Sequence, residues 1–256
     1  MKIAFFSDIH ANLPAFEAVL QDLHEKQPDM VYCLGDLIGY NVWANEVVEL
    51  IRQHRIPTIA GNYDEGVGMN SSDCGCAYKT EEDKARGNQS INFTNEIISS
   101  DNRKYLRELP RHIWVEFQPK EEERLRILMV HGSPRKINEY LFEDRPESSM
   151  VRLMEESGAD IMLFGHTHKP YHRQLVSEQE QKYKHAINLG SVGKPKDGDP
   201  RACYVLLELD ENSTAAVAES IKVEFVRVPY DVEQAARAVE ESPLPNDFAD
   251  MLRKAY

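Results

Sequence analysis

The sequence predicts an α/β fold, because strand-like and helix-like apolar patterns alternate through its first third. Short apolar runs at Lys2–Phe6, Met30–Leu34 and Pro57–Ala60 have the length of buried strands. Between them, Leu13–Leu23 and Val47–Ile51 carry apolar residues at helical spacing. This βαβαβ order predicts parallel strands joined by right-handed crossovers.

The first predicted helix has Asn12 as its N-cap and Pro14 in its first turn. The segment from about 66 to 110 departs from the strand–helix alternation of the first third, since it is polar at first and then helical. This pattern predicts a mainly helical insertion, which is either a mobile lid over the site or a fixed cover. Further strands are predicted at His112–Phe117, Arg126–Val130, Asp160–Phe164, Ala186–Leu189, Ala202–Leu209 and Lys222–Val228, and further helices at Ser148–Glu156, Asp231–Glu241 and Asp247–Ala255. Without an internal repeat or linker, residues 1–256 are interpreted as a single domain.

Composition and charge bound the possible functions. The 256 residues are 41% hydrophobic and 29% charged, which is ordinary for a globular protein with a real core. The formal net charge of -13 disfavours a broad face for long nucleic acid. A small phosphorylated substrate is still compatible, because bound divalent cations reverse the local field.

The cysteines and the N-terminus predict a cytoplasmic location. The chain has 4 cysteines and no Cys-x-x-Cys pair; Cys33 and Cys203 lie in strand-like runs, whereas Cys74-Gly75-Cys76 could bind metal or oxidise. The apolar run before Ser7 is too short for a signal peptide, and no run has the length of a membrane span. The oligomeric state is not predicted.

Five short segments place metal-competent side chains at the ends of predicted strands, where an open α/β sheet forms its usual crevice. A lone histidine or Gly-Asp-x-x-Gly is weak evidence, but five such segments in order favour a metal site. The segments are Asp8-x-His10, Gly35-Asp36-x-x-Gly39, Gly61-Asn62-x-Asp64, Val130-His131-Gly132 and Gly165-His166-Thr167-His168.

The donor set of these segments contains carboxylates, imidazoles and one amide but no thiolate. Such a set suits Mn, Fe, Zn, Co or Ni better than Ca or a soft copper site. If one carboxylate bridges, the set is sufficient for two divalent transition-metal ions. The predicted ligands are Asp8, His10, Asp36, Asn62, His131, His166 and His168.

The ordered segments resemble the calcineurin-like metallophosphoesterase superfamily over nearly the whole chain. The stretch from Asn188 to Ala202 also resembles its bacterial branch of small phosphodiesterases and diadenosine-tetraphosphatase-like proteins. The resemblance implies a four-layer α/β/β/α sandwich with two mixed sheets. It also implies metal ligands: Asp8, His10, Asp36 and His168 for the first metal, and Asp36, Asn62, His131 and His166 for the second, with Asp36 as the bridge.

The sequence departs from the family at Tyr63. Many members have a histidine there, thought to assist the leaving group, so the general acid is not identified by sequence; Asp64 is then interpreted as a turn-stabilising carboxylate. Substrate contacts are predicted for Asn12, Tyr63 and Arg201, and Arg135 and Lys194 also lie near the motifs. For each, a cap, a core ring or a surface charge is an equal alternative.

The predicted function is metal-dependent hydrolysis of phosphodiester or phosphomonoester bonds by a hydroxide that bridges two metals. A nucleoside-polyphosphate hydrolase or a phosphomonoesterase is the alternative within the enzyme class. A non-catalytic protein-binding scaffold is disfavoured because such relatives typically lose metal ligands. A nuclease acting on long nucleic acid conflicts with the acidic charge.

Overall fold

The computed structural model describes residues 1–78, 80–121 and 123–256. The strands are β1 (Lys2–Phe6), β2 (Met30–Cys33), β3 (His112–Lys120), β4 (Glu123–Val130), β5 (Ile161–Phe164), β6 (Tyr171–Ser177), β7 (Lys182–Asn188), β8 (Ala202–Glu208) and β9 (Lys222–Val228). The helices are α1 (Leu13–Lys26), α2 (Ala44–Gln53), α3 (Asn62–Gly68), α4 (Glu81–Ile97), α5 (Ser100–Glu108), α6 (Glu147–Ser157), α7 (Val232–Glu240) and α8 (Asp247–Lys254). A short 3₁₀ helix spans Ala218–Ser220.

Two mixed sheets form the centre of the fold. The first has the order β2-β1-β8-β9, with β1 parallel to β2 and antiparallel to β8. The second has the order β3-β4-β5-β7-β6, in which β4, β5 and β7 are parallel and the edge strands β3 and β6 are antiparallel. Parallel strands that lie side by side bring their carboxyl ends to one edge of each sheet.

The alternation of side chains along the strands explains the layers. In β1, Ile3 and Phe5 pack in the core between the sheets, whereas Ala4 and Phe6 pack against α1 and α2. On the other side, Met162 of β5 packs with the buried face of α6. The result is the four-layer α/β/β/α sandwich that the family resemblance implied, so that prediction is confirmed.

One local prediction was wrong: the predicted strand Pro57–Ala60 forms only an isolated bridge, in which Thr58 pairs in parallel with Cys33. The sequence analysis also did not predict the helix α3 directly after Gly61, where the N–H of Tyr63 donates to the Asp36 carboxylate. The pattern of short apolar runs does not distinguish an edge segment with one bridge from a full strand.

The helices α4 and α5 lie within the predicted 66–110 insertion. They are fastened to the rest of the fold by polar contacts: Tyr40 N–H donates to Ser90 Oγ at 2.8 Å, and Asn45 Nδ2 donates to the carbonyl of Ile97 at 2.9 Å. Within the described residues, no helix is long and apolar enough to cross a membrane.

Candidate metal centre

The candidate centre lies where five segments leave the carboxyl ends of β1, β2, β4, β5 and the Thr58 bridge. The loop after β1 is held to the loop after β2 by backbone bonds, for example Asp8 N–H to the carbonyl of Gly35 at 2.9 Å. Within the second sheet, the loop after β5 is held to the loop after β4, because Gly165 N–H donates to the carbonyl of His131 at 2.9 Å. Between the two sheets, His166 N–H donates to Asp8 Oδ2 at 3.1 Å. The topology therefore brings together polar side chains from both sheets at one edge.

The first cluster consists of Asp8, His10 and His168, all buried and with ligand atoms close enough to share one ion. The Nε2 atoms of His10 and His168 are 3.1 Å apart. Asp8 Oδ1 lies 3.3 Å from His168 Nε2 and 3.7 Å from His10 Nε2. The three donors thus converge on one small volume.

The second cluster consists of Asp36, His131 and His166, which are also buried and equally close to one another. Asn62 joins this cluster, because its Oδ1 lies 3.1 Å from His131 Nε2. Asn62 Nδ2 donates to the carbonyl of Cys74 at 3.0 Å and to Cys76 Sγ at 3.3 Å. These bonds orient the amide so that its oxygen faces the cluster.

Asp36 lies between the two clusters. Its Oδ2 is 3.4 Å from His131 Nε2 in one cluster and 3.6 Å from His10 Nε2 in the other. Its second oxygen accepts a hydrogen bond from Tyr63 N–H at 2.9 Å. This bond anchors the Asp36 carboxylate to the first turn of α3.

Three imidazoles are oriented by backbone carbonyls. The Nδ1 atoms of His10, His131 and His168 lie 3.0, 2.8 and 2.6 Å from the carbonyls of Ile38, Leu34 and Lys194. A carbonyl can only accept, so Nδ1 carries the proton and the lone pair of a neutral ring is left on Nε2. In each case Nε2 is the atom that faces the other donors.

The backbone at the centre is held in an uncommon conformation. Asp8, His10, Asp36, His166 and His168 all have φ between 49° and 66°, the left-handed region that non-glycine residues rarely adopt. Such conformations cluster at functional sites, where the surrounding structure fixes them.

Burial favours neutral imidazoles at this centre. It lowers the pKa of His10 to about 3, although the charges of Asp36 and Asp8 oppose the shift. It also lowers the pKa of His166 and His168 well below the usual histidine value. At His131 burial acts in the same direction, but the adjacent Asp36 carboxylate outweighs it and raises the pKa to about 10.

The donors fit divalent metal ions. Among the described residues, the buried atoms Asp8 Oδ1 and His166 Nε2 have no hydrogen-bond partner. Buried polar atoms are seldom left unpaired, so these two atoms are available to bind a metal ion. Oxygen and nitrogen donors from carboxylates, imidazoles and an amide suit first-row divalent metals.

The remaining predicted site residues have structural contacts. Tyr63 is 1% exposed, and its ring lies 5.5 Å from the His10 ring, in the core beside α1 and α2. Asn12 accepts from Ala15 N–H as the cap of α1 and donates to the carbonyl of Gly193. Arg201 is half exposed and pairs with Asp199 at 2.6 Å. Their contacts with substrate stay predictions.

Two tyrosines beside the centre were missed by the sequence analysis. The ring of Tyr140 lies 4.1 Å from that of His166, and the ring of Tyr40 lies 4.9 Å from that of His10. Tyr40 directly follows Gly39 of the second motif, so its position next to a predicted metal-binding segment could have identified it. Tyr140 lies in an irregular segment well after His131, where no spacing rule identifies it.

Comparisons with known proteins agree with this architecture. The calcineurin-like phosphoesterase superfamily domain matches residues 1–212. The chain is 32% identical to an uncharacterised protein of Methanocaldococcus jannaschii, over 98% of this chain and 96% of that protein. It is 26% identical to the phosphodiesterase YfcE of Escherichia coli K12, over 85% and 92% of the two chains. A metallophosphoesterase crystal structure from Sphaerobacter thermophilus matches with a TM-score of 0.74 at 27% identity, covering 100% of both chains.

The chain therefore belongs to the calcineurin-like phosphoesterase superfamily, as its motifs predicted, and it is a hydrolase. The family is metal-dependent, and the structure contains two groups of residues that could hold a metal.

Proposed function

We propose that this chain is a phosphodiesterase with two divalent transition-metal ions bound between its sheets. The observation that carries the proposal is the position of Asp36, whose Oδ2 lies within 3.6 Å of one imidazole from each cluster. A carboxylate between two sets of imidazoles is the arrangement that a bridged pair of cations requires.

The proposed ligands divide as the two clusters do. Asp8, His10 and His168 would hold one ion, and His131, His166 and Asn62 the other, with Asp36 shared. When bound, such ions generate a nucleophile from water at neutral pH and offset charge on the phosphoryl oxygens. The protein holds the imidazoles in the required tautomer through the carbonyls of Ile38, Leu34 and Lys194.

The metal identity is proposed from the donor set alone. Neutral imidazole and carboxylate donors suit Mn, Fe, Zn, Ni or Co, and we include manganese among the ions to be tested first. The thiols of Cys74 and Cys76 lie outside both clusters, so the proposed site contains no soft sulfur ligand.

The proposed substrate is a small phosphodiester, a class supported by the 26% identity to the E. coli phosphodiesterase. A phosphomonoester or a nucleoside polyphosphate is the alternative substrate for the same centre.

We also propose one domain over residues 1–256, with α4 and α5 as an inserted helical cover. A cytoplasmic location is proposed from the free thiols, of which Cys33 and Cys203 are buried.

The test is an activity panel on protein of measured metal content. Bis(p-nitrophenyl) phosphate, p-nitrophenyl phosphate and diadenosine tetraphosphate are each assayed with Mn, Ni, Mg and Zn. We expect two ions per chain and the highest kcat/KM on the diester. Hydrolysis that persists after complete metal removal would show that the metals do not carry the reaction.

A further inference from the structure

A cavity of about 350 Å³ lies beside the metal centre, with walls of aromatic and basic side chains. Two of its lining residues each contact a ligand of a different cluster: Tyr40 packs on His10, and Tyr140 packs on His166. The cavity therefore borders both clusters of the proposed centre.

Two lysines of this cavity are fixed to a proposed metal ligand through their backbones. The carbonyl of Lys194 accepts from His168 Nδ1 at 2.6 Å, and Lys196 N–H donates to the carbonyl of His168 at 3.1 Å. The Lys194 side chain is 4% exposed, and its Nζ lies 4.7 Å from the centre of the Tyr40 ring. The positions of both lysines are therefore coupled to the geometry of the first cluster.

Neither lysine is paired with a carboxylate among the described residues, whose lysine ion pairs form at other positions. Asp83 also lines the cavity, but its carboxylate is held by Arg86 at 2.7 Å. The cation–π contact with Tyr40 stabilises Lys194 without cancelling its charge.

Unpaired ammonium groups inside a cavity are costly unless an anion occupies it. They are also unexpected in a chain whose formal charge is -13, where carboxylate partners are abundant. The metal ions of the proposed centre would bind the scissile phosphate. The lysines thus indicate a second anionic group on the same ligand.

We propose that the cavity is a second substrate subsite, in which Lys194 and Lys196 bind a phosphate group other than the scissile one. This inference rests on the proposed function, since it takes the scissile phosphate to lie at the metal centre. The substrate class is then a small phosphodiester that carries a further phosphate. The rings of Tyr40 and Tyr140 offer flat surfaces to the organic part of that substrate.

The binding test uses two nucleotides that differ only in one phosphate, thymidine 3′,5′-bisphosphate and thymidine 5′-phosphate, titrated calorimetrically into the metal-loaded protein. We expect the bisphosphate to bind at least ~10-fold more tightly, the scale of charge-assisted hydrogen bonds to phosphate. In Lys196→Met and Lys194→Met the dissociation constants of the two nucleotides should differ by less than about threefold. Lys196→Arg, which keeps the charge, should retain most of it.

A matched control is Lys104→Met, which removes one positive charge from an exposed position on α5. This control should keep the wild-type preference. If Lys194→Met fails to fold, Lys196→Met still tests the proposal, because Lys196 is only partly buried and its replacement should not prevent folding. Equal binding of the two nucleotides by wild type, or an unchanged preference in Lys196→Met, overturns the proposal.

A kinetic comparison separates this proposal from the proposed function. Thymidine 5′-(p-nitrophenyl phosphate) and its 3′-phosphorylated form are diesters with the same leaving group, so their kcat/KM ratio reports the second phosphate. Hydrolysis of both at equal rates, with equal nucleotide binding, overturns the subsite and leaves the phosphodiesterase intact. If the enzyme hydrolyses neither diester, the proposed function is overturned. The ratio of the two nucleotide dissociation constants then still decides whether the subsite exists.

Discussion

The Asp64 carboxylate accepts a hydrogen bond from the backbone N–H of Leu37 at 2.9 Å and ties together two loops that are distant in sequence. Its other oxygen accepts from Gly61 N–H, also at 2.9 Å. The loop that carries Asp36 is thereby fixed to the loop that carries Asn62. The structure gives Asp64 the turn-stabilising contacts expected from the sequence.

Removal of this carboxylate should destabilise the protein. Asp64→Ala leaves two buried N–H groups without an acceptor, so we expect the free energy of unfolding to fall by about 2–4 kcal/mol. Asp64→Asn keeps one good acceptor and should lose less. Urea denaturation of the metal-loaded variants measures both changes. An unfolding midpoint of Asp64→Ala equal to that of wild type would contradict this role.

Gly39 is expected to be required because Tyr63 packs directly over it. A Cβ atom at Gly39 would lie 2.4 Å from Tyr63 Cδ1, and Gly39 has a φ of 90°. The matched control is Gly198, whose φ is 84° and whose added Cβ would meet nothing within 4 Å. Gly198→Ala should cost about 1–2 kcal/mol for the backbone alone. Gly39→Ala should cost more, since a core ring must also move; equal thermal shifts would rule out the clash.

Loading with metal should stabilise the fold. Asp8 Oδ1 and His166 Nε2 are buried without hydrogen-bond partners among the described residues, and the ligand atoms of each cluster already lie close together, so the site is pre-formed for binding. At a hundredfold excess over Kd, one bound ion contributes about 2.7 kcal/mol, which corresponds to roughly 5–10 °C in Tm. Differential scanning calorimetry of chelated and Mn-loaded protein measures the shift. The same shift in His166→Ala would place the ion elsewhere.

Asp36 should matter more for activity than any other proposed ligand. Asp36→Ala removes the oxygen that faces both clusters, so we expect kcat/KM on bis(p-nitrophenyl) phosphate to fall at least ~10³-fold. The loss should accompany a fall in bound metal measured by elemental analysis. Asp36→Asn is the control for folding, because it keeps the acceptor for Tyr63 N–H. Full activity in Asp36→Ala would refute a shared carboxylate.

Much of the fold was predictable because its central strands are short apolar runs that end in polar, glycine-containing segments. All the residues of both clusters lie in those polar segments, and the clusters form because parallel strands align their carboxyl ends. The family resemblance implied two mixed sheets, but neither it nor the apolar runs predicted that β4, β5 and β7 are parallel and lie between two antiparallel edge strands.

The parts that escaped prediction depend on contacts between distant segments. Tyr140 reaches His166 from an irregular stretch, and Lys196 reaches the cavity because its N–H bonds to His168. Hydrophobic periodicity carries no information about such segments. The start of α3 at Asn62 was missed because the helix is short and its cap is a glycine.

The Tyr63 side chain should contribute little to proton transfer. Its ring is buried at 1% exposure, and its hydroxyl has no hydrogen-bond partner among the described residues. A phenol titrates near 10, so it is a poor general acid at neutral pH. We therefore expect Tyr63→Phe to keep wild-type metal content and most of its activity on aryl diesters. Rates plotted against leaving-group pKa should have the same slope in both proteins. A loss in Tyr63→Phe that grows as the leaving group worsens would show that the phenol donates the proton.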